Sequence, residues 1–484
     1  MRFAADLAGS WRYHTECEDT TDAGLHGIDG TVKVVPYKGN NPLLRHGRFK
    51  VSDNGRYLMH QDGTPFFWLG DTWWSLMTSR VSWPEGFTTL GNDRKTKGYT
   101  LVQTVIGFNP ETDFDDVQNV NEGGQPWIND GKEYVAINPK YFDAVDKRIK
   151  WLVENGIAPL IVGSWGYHRK WLSVERLKAH WRYLIARYGA YPVFWCVAGE
   201  VMMTYESYSF LEPKTVLSEQ QLADWVSVAK YIHEIDPYHH PLTSHTPGDM
   251  SDLVDFEIFQ GGHNGIKSLG SVPETIKRVR ERKPARPVVP AEQTYEGHLQ
   301  VNYENAVRMG FWLAFLSGGA GYTYGAAGIF NAHDPERPVG NRPRVGKYDD
   351  TTWNVSMHFP GSGQVGLGKK LLCRYEWWRF EPHPEWAAFS FKSMHEVGKG
   401  HESVTHTAGI PGKVRIVYIP TRIYSWTGPM VKQLERDVTY HAFYFDPIRA
   451  KEYKLGEVKP EGDGTWQAPM LPVCQDWVLV LEAQ

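Results

Sequence analysis

Two glutamates in the sequence each follow a continuous apolar run. One run, PVFWCVAGE, ends at Glu200, and the other, PVVPAE, ends at Glu292. An unpaired charge is costly to bury, so a carboxylate in such a place usually shifts its pKa or has a partner. Either glutamate alone could be an ordinary buried residue paired with an Arg or a Lys. Together, the two glutamates supply the pair of carboxyl groups that glycosidic bond hydrolysis requires.

That chemistry needs two carboxyl groups on opposite sides of a pocket. One is protonated and donates to the leaving oxygen, and the other is ionised and attacks the anomeric carbon. Retaining enzymes hold the two groups about 5–5.5 Å apart. Like charge and partial burial raise the pKa of one group and keep it protonated near neutral pH. The fold must therefore bring the ends of the two runs together.

Alternating apolar and amphipathic segments indicate which fold does so. Eight apolar segments, each followed by a helical segment or one that could be helical, predict a parallel sheet buried on both faces. Eight such units over about 300 residues fit a (β/α)8 TIM barrel, an α/β fold. A doubly wound sheet would need a nucleotide fingerprint after its first strand, and LGDTWW is not one. The predicted strands are 65–74, 99–109, 157–168, 192–200, 241–248, 255–265, 286–298 and 319–325.

The active site of a TIM barrel lies at the C-terminal ends of its strands, which selects further residues. We expect Asp71 to bind sugar hydroxyls, a neighbouring Trp to stack on the ring, and Tyr295 to hydrogen-bond the nucleophile. Glu296 falls in the loop after the seventh strand and is expected to bind substrate or hold the loop. The predicted substrate-binding residues are Asp71, Trp73, Trp74, Gln103, Asn109, Trp165, His168, His245, His263, Tyr295, Glu296 and Tyr324.

Two other site types are disfavoured. Histidines end three predicted strands, but no HxH or HExxH spacing occurs, so no metal is expected. The run Gly361–Gly366 spells GxGxxG, yet it follows MHFP rather than a buried strand, and no βαβ unit surrounds it. We therefore expect a flexible loop there, no nucleotide site and no cofactor.

Composition places the chain among globular proteins. Its 484 residues carry a net charge of −4, with 52 Lys and Arg against 56 Asp and Glu, which disfavours nucleic-acid binding. No apolar run is long enough for a membrane span. The four cysteines show no paired spacing, which fits a reducing compartment. The N-terminus lacks the pattern of a signal peptide, so a cytoplasmic location is expected, or a secreted one if the N-terminus is trimmed.

Changes in pattern along the chain predict three parts. Residues 1–45 form a short N-terminal β segment, and 46–385 form the catalytic barrel. The helical periodicity then fades, and 386–484 read as a small C-terminal β-sandwich with short strands such as KVRIVYIP and DWVLVLEA. The N-terminal segment offers strand edges through which copies of the chain could associate.

Three stretches resemble a known family. GRYLMHQDGTPFFWLGDTWW, FWCVAGE and PAEQTYEG are similar to the apiosidase-like glycoside hydrolases, glycoside hydrolase family 140 and its relatives. The resemblance covers about residues 45–385 and implies a retaining (β/α)8 enzyme. It implies Glu200 as the acid/base and Glu292 as the nucleophile. The tail resembles the small β-sandwich named for collagen binding in such proteins, and here a structural cap on the barrel is expected.

Two features depart from that family. The characterised apiosidases have an aspartate on strand four where this chain has Glu200, and the longer side chain favours a sugar other than apiose. Relatives often carry a full β-sandwich before the barrel, whereas residues 1–45 resemble only its closing part. Either this part is reduced or a partner subunit completes the sheet.

The sequence thus predicts a retaining glycoside hydrolase, exo-acting on plant or microbial oligosaccharides or glycosides by double displacement. A carbohydrate-binding protein on an inactive TIM-barrel scaffold is the first alternative. A metal-dependent barrel hydrolase is the second.

Overall fold

The computed structural model describes most of the chain. The described residues are 2–5, 7–204, 219–245, 248–334, 351–389, 400–421, 425 and 427–484. Ser218, the expected N-terminal residue of a helix over 218–237, and residues 246–247 of the predicted fifth strand lie outside them.

Short elements precede the barrel. Strands β1 (Gly9–His14) and β2 (Asp29–Val34) form an antiparallel hairpin. A helix over Pro42–His46 and the hairpin of β3 (Phe49–Val51) and β4 (Leu58–His60) follow. Phe49 stacks on Phe194 with ring centroids 4.2 Å apart, so this second hairpin closes the N-terminal end of the barrel.

Eight parallel strands form the barrel. They are β5 (Trp68–Thr72), β6 (Leu101–Val105), β9 (Ala158–Val162), β10 (Phe194–Gly199), β11 (Leu242–His245), β12 (Glu257–Gln260), β13 (Val288–Glu292) and β14 (Gly321–Tyr324). A separate hairpin of β7 (Trp127–Asn129) and β8 (Tyr134–Ile137) follows β6. The strand order in the sheet is β13-β12-β11-β10-β9-β6-β5-β14, so β13 and β14 are its two end strands. Ala320 N, just before β14, donates to Val288 O of β13 at 2.8 Å and joins these two ends.

Helices surround the strands. Those between barrel strands span Glu85–Thr96, Pro139–Glu154, Val174–Tyr188, Glu219–Ile235, Ser271–Arg280 and Glu304–Leu316. Helices over Trp353–Ser356 and Pro360–Leu372 follow β14. Local sequence sets the helix starts: the Asn138 side chain accepts from Lys140 N, and Ser173 accepts from Arg176 N.

The C-terminal part is built of antiparallel strands. One sheet has the order β15 (Glu381–Pro382), β17 (His406–Ile410), β18 (Val414–Ile419), β23 (Trp477–Ala483), β20 (Tyr440–Phe445) and β21 (Glu452–Val458). A smaller sheet has β16 (Ala387–Ala388), β19 (Met430–Val431) and β22 (Trp466–Gln467). The buried Arg308 on the last inter-strand helix donates to both carboxylate oxygens of Asp476, at 2.9 and 2.7 Å, and joins this part to the barrel.

The predicted (β/α)8 barrel with a small C-terminal all-β domain and a short N-terminal β segment is therefore confirmed. Within the described residues, no helix combines the length and apolar character that a membrane crossing requires.

The expectation of a flexible loop at the GxGxxG run is wrong, because Gly361–Gly366 lies inside the helix Pro360–Leu372. Pro360 starts this helix at a position where a missing N–H costs nothing. A Cβ at Gly361 would meet Glu296 Oε2 at 2.5 Å, and one at Gly366 would meet Lys97 O at 2.0 Å. These glycines therefore permit close packing of the helix on the barrel.

Candidate active site

Glu200 directly follows β10, whose six residues are all buried. Its φ of +44° is rare for a residue with a side chain, and such strain tends to concentrate at functional sites. Trp165, at the end of β9, donates from Nε1 to Glu200 Oε2 at 2.9 Å. The indole can lie there because Gly199 has no side chain: a Cβ at Gly199 would meet the Trp165 ring at 2.2 Å.

The surroundings of Glu200 favour its protonated form. Burial raises its pKa above the ordinary value of 4.5, and the negative charge of Glu292 raises it further. His245 and the Trp165 hydrogen bond act in the opposite direction but do not offset these two causes. A carboxyl group in this state can donate a proton at a pH where an exposed glutamate cannot.

Glu292 ends β13 and is surrounded by donors. His263 Nε2 lies 3.1 Å from Oε1, and Gln260 Nε2 donates to the same oxygen at 3.1 Å. His245 Nε2 lies 3.0 Å from Oε2, without the alignment of a hydrogen bond. These three side chains come from the ends of β11 and β12 and the loop after β12, so neighbouring strands surround the carboxylate.

The ionised form of Glu292 is favoured. Burial alone would raise its pKa, but the two histidines beside it lower the pKa well below 4.5. In turn, the pKa of His245 is raised by Glu292 and Glu200, against the effect of burial. The two glutamates thus have pKa values shifted in opposite directions, which is the pattern of an acid and a nucleophile.

Aromatic rings pack beside the two carboxyl groups. The Trp74 ring lies 5.2 Å from that of Trp165 and 5.4 Å from that of His245. Trp74 Nε1 donates to the Tyr295 hydroxyl at 3.2 Å, and the Tyr295 ring lies 4.4 Å from that of His263. Burial and the charge of Glu292 raise the Tyr295 pKa well above its usual range, so its hydroxyl stays protonated.

The structure does not bring every predicted residue to this site. Asp71, which the sequence predicts to bind sugar hydroxyls, has a fully buried carboxylate that is held by other side chains. Its Oδ2 accepts from Arg94 Nε at 2.6 Å and from Trp73 Nε1 at 2.7 Å. Trp73 is itself fully buried, in the layer between strands and helices, so it offers no face to a sugar.

Three further predicted substrate-binding residues have fully buried side chains that are engaged elsewhere. Gln103 donates to Ala291 O at 2.8 Å and so supports the strand beneath Glu292. Asn109 donates to Asn119 Oδ1 within its own loop. His168 Nε2 lies 3.1 Å from Asn109 O and holds that loop.

Glu296 and Tyr324 form a structural pair. Tyr324 donates to Glu296 Oε2 at 2.7 Å, and Gly361 N donates to Oε1 at 2.9 Å. Both side chains are buried and bonded to each other, and the structure does not bring them to the two carboxyl groups of Glu200 and Glu292. Burial raises the Glu296 pKa above 4.5. Glu296 is expected from the sequence either to bind substrate or to hold the loop, and its contacts with Tyr324 and Gly361 are those of a residue that holds the loop.

Sequence reasoning missed Gln260, whose side chain contacts Glu292, and Asn302, whose side chain binds the backbone of His263. Gln260 is the last residue of β12, and the strand-end rule would have found it. Asn302 lies within the loop after β13, just before the helix Glu304–Leu316, and has no such signal. Among the described residues, no group of three or more His, Cys, Asp or Glu side chains is arranged to hold a metal ion.

Solved structures with the same architecture are glycoside hydrolases by name. One called glycoside hydrolase matches with a TM-score of 0.72 and 22% identity, over 91% of this chain and 98% of that chain. A glycoside hydrolase family 5 protein of Bacteroides vulgatus matches with a TM-score of 0.72 and 21% identity, over 91% and 93% of the two chains. At these identities the similarity shows the fold.

Sequence comparison gives the family. No curated protein matches the chain. The family profile described as Apiosidase-like, catalytic domain, matches residues 52–379, more than half of the chain. This range contains all eight barrel strands and both strand-end glutamates. The chain therefore belongs to the Apiosidase-like family and is a glycoside hydrolase.

Proposed function

We propose that this glycoside hydrolase retains anomeric configuration, with Glu200 as the acid/base and Glu292 as the nucleophile. The observation that carries the proposal is the opposite shift of the two pKa values, upward at Glu200 and downward at Glu292. An ionised carboxylate beside a protonated carboxyl group is the starting state of glycoside hydrolysis by two carboxyl groups, and the resemblance to retaining (β/α)8 enzymes favours double displacement.

In the first step, a Glu292 oxygen attacks the anomeric carbon while Glu200 gives its proton to the leaving oxygen. The bond to the leaving group breaks, and a glycosyl ester forms on Glu292. In the second step, the Glu200 carboxylate takes a proton from a water molecule, which attacks the same carbon and frees Glu292. Glu200 ends the cycle protonated, as it began.

We propose exo action on plant or microbial oligosaccharides or glycosides. Glu292 is only 7% exposed, and rings of Trp74 and Trp165 pack beside the carboxyl groups, which supports a confined site for one terminal sugar. The glutamate at position 200, where the apiosidases have an aspartate, favours a sugar other than apiose.

The experiment is hydrolysis of a panel of aryl glycosides and oligosaccharides by the wild type, Glu200→Ala and Glu292→Ala. Both variants are expected to lose roughly 10²- to 10⁴-fold in kcat on any substrate that the wild type cleaves. Glu257→Gln is the matched control: Glu257 is a buried carboxylate that pairs with Arg282 at the opposite end of its strand. Near-wild-type turnover by either alanine variant would contradict the assignment, and sugar binding with no turnover would favour the binding-protein alternative.

We also propose that two copies of the chain associate through the N-terminal hairpin. Trp11 and Tyr13 share one face of β1 and are 39% and 42% exposed, and β1 and β2 pair only with each other among the described residues. A two-stranded sheet with an open apolar face is marginal by itself. Sedimentation velocity should show a dimer that the double variant Trp11→Ser, Tyr13→Ser converts to a monomer, and a monomeric wild type would contradict the proposal.

A cytoplasmic location is likewise proposed. Cys373 and Cys474 are exposed thiols, which suit a reducing compartment. Alkylation of both thiols in protein isolated from its own cells without a reductant would support this, and a disulfide would contradict it.

A further inference from the structure

Asn302 joins two loops next to the nucleophile. Its side chain is 2% exposed, and Nδ2 donates to His263 O and to His298 O, both at 2.8 Å. Its Oδ1 accepts from Gly265 N at 2.7 Å. One amide group therefore binds the loop after β12 to the loop after β13.

The first of these loops needs such support. It carries His263, whose Nε2 contacts Glu292 Oε1, in the sequence GGHNG. Gly262 has φ +93° and Gly265 has φ +56°, so the residues around His263 adopt backbone conformations that glycine alone takes easily. Glycine also leaves the unbound loop many other conformations. The contacts of Asn302 with both ends of the segment 263–265 restrict that freedom.

The second loop is strained. Leu299 and Gln300 have φ +53° and +54°, which costs free energy for residues with side chains. Asn302 O accepts from Gly297 N at 2.8 Å, and its side chain binds His298 O, so both ends of the strained pair are fixed. The His298 ring then lies 5.3 Å from the His263 ring and limits where that ring can go.

We propose that Asn302 is a positioning residue for the nucleophile, holding His263 in the place from which it contacts Glu292. The inference rests on the proposed role of Glu292. Asn302 acts through a chain of contacts. Its amide fixes the His263 backbone, this backbone and the His298 ring fix the His263 ring, and the His263 ring holds Oε1 of Glu292. Displacing a positioned group by about 1 Å can cost about 10²-fold in rate.

The pH profile reports on this chain of contacts. Glu292 is faced by His263, His245, Glu200 and Tyr295. Of these four residues, His263 is the one whose backbone Asn302 holds. If the His263 ring moves away, one favourable partner of the carboxylate is lost, so the acidic limb of kcat/KM should move to higher pH. His245 stays, so the shift is partial.

The test compares Asn302→Ala with Asn121→Ala. Asn121 is the matched control: it is also 2% exposed, donates from Nδ2 to two carbonyls, Met77 O and Tyr141 O, and accepts from Gly123 N. It binds a loop after β6 and contacts neither glutamate. Thermal unfolding of both variants shows whether the cost in stability is similar.

We expect Asn302→Ala to lower kcat/KM roughly 10- to 100-fold and to raise the acidic limb. Asn121→Ala should change kcat/KM by less than about twofold, with no shift, because distant sites act independently. In a His263→Ala background, Asn302→Ala should add little further loss. Equal losses in the two asparagine variants, or an additive loss in the His263→Ala background, would overturn the inference. An active Glu292→Ala variant would instead overturn the proposed function.

Discussion

The indole of Trp165 donates a 2.9 Å hydrogen bond to Oε2 of Glu200, the carboxyl group at the end of the next strand. This bond fixes which way the carboxyl group faces. It also favours the charged form of Glu200, so it moderates the rise in pKa that burial and Glu292 cause. The indole thus both orients the proposed acid and limits how strongly it holds its proton.

Replacing this indole gives a first prediction. In Trp165→Phe an aromatic ring remains at this position, but it has no N–H to donate. The hydrogen bond to Glu200 is lost, so the Glu200 pKa rises further. The basic limb of the kcat/KM profile, where the acid loses its proton, should move to higher pH. Loss of orientation should lower the maximum about 10-fold. Kinetics from pH 4 to 10 check this, and a basic limb that moves to lower pH would contradict it.

A second prediction concerns the wild-type profile. The nucleophile must be ionised, and the Glu292 pKa is below 4.5, so the acidic limb should lie below pH 4.5. The acid must be protonated, and the Glu200 pKa is above 4.5, so the basic limb should lie above it. His245→Gln removes one cause of the lowered pKa and should move the acidic limb upward. An unchanged acidic limb in this variant would refute this account of the Glu292 environment.

The barrel and the two glutamates are predictable for one physical reason. Buried parallel strands read as continuous apolar runs, and the charged, polar or aromatic residues at the C-terminal end of such a run lie on the pocket side. Glu200, Glu292, His245 and Trp165 all follow from that pattern. The substrate sugar does not, because it depends on side-chain positions around the pocket rather than on periodicity.

Asp71 shows what the pattern leaves out. It satisfies the strand-end rule, but its partner Arg94 lies on the helix Glu85–Thr96, which the sequence indicates only as a segment that could be helical. That helix has glycines and threonines, which are weak helix formers, and tertiary packing stabilises it. Unless the position of this helix is known, nothing in the sequence indicates that the Asp71 carboxylate turns toward Arg94 and away from the pocket.

The Asp71–Arg94 pair gives a third prediction. Asp71→Asn removes one of the two carboxylates that pair with the fully buried Arg94 guanidinium. Because Asp93 stays, the cost in the free energy of unfolding should be about 3 kcal/mol, at the lower end for a broken buried pair. The KM of the folded fraction should not change, because Asp71 does not reach the pocket. Asp143→Asn breaks an exposed pair with Arg187 and should cost about 0–1 kcal/mol. Denaturant unfolding measures both, and a raised KM with little loss of stability would restore Asp71 to the substrate site.

Glu296 gives a fourth prediction. Its folded-state pKa is raised, so its contribution to stability is present below the unfolded value of 4.5 and is lost as pH rises through the folded value. Glu296→Gln does not titrate, so its stability relative to the wild type should increase from pH 4 to pH 8. Its KM should stay within about twofold of the wild type, because the Glu296 carboxylate bonds Tyr324 and Gly361 N and neither of the two site glutamates. A constant stability difference, or a large rise in KM, would contradict the structural role.

The most direct test of the central claim is mass spectrometry of a trapped glycosyl-enzyme. The wild type is incubated with a panel of activated 2-deoxy-2-fluoroglycosides, chosen to include a sugar that it hydrolyses, and then digested into peptides. The account predicts a covalent sugar on the peptide that contains Glu292, and none in Glu292→Gln. A sugar attached to another carboxylate, or turnover of the parent substrate with inversion at the anomeric carbon, would contradict it.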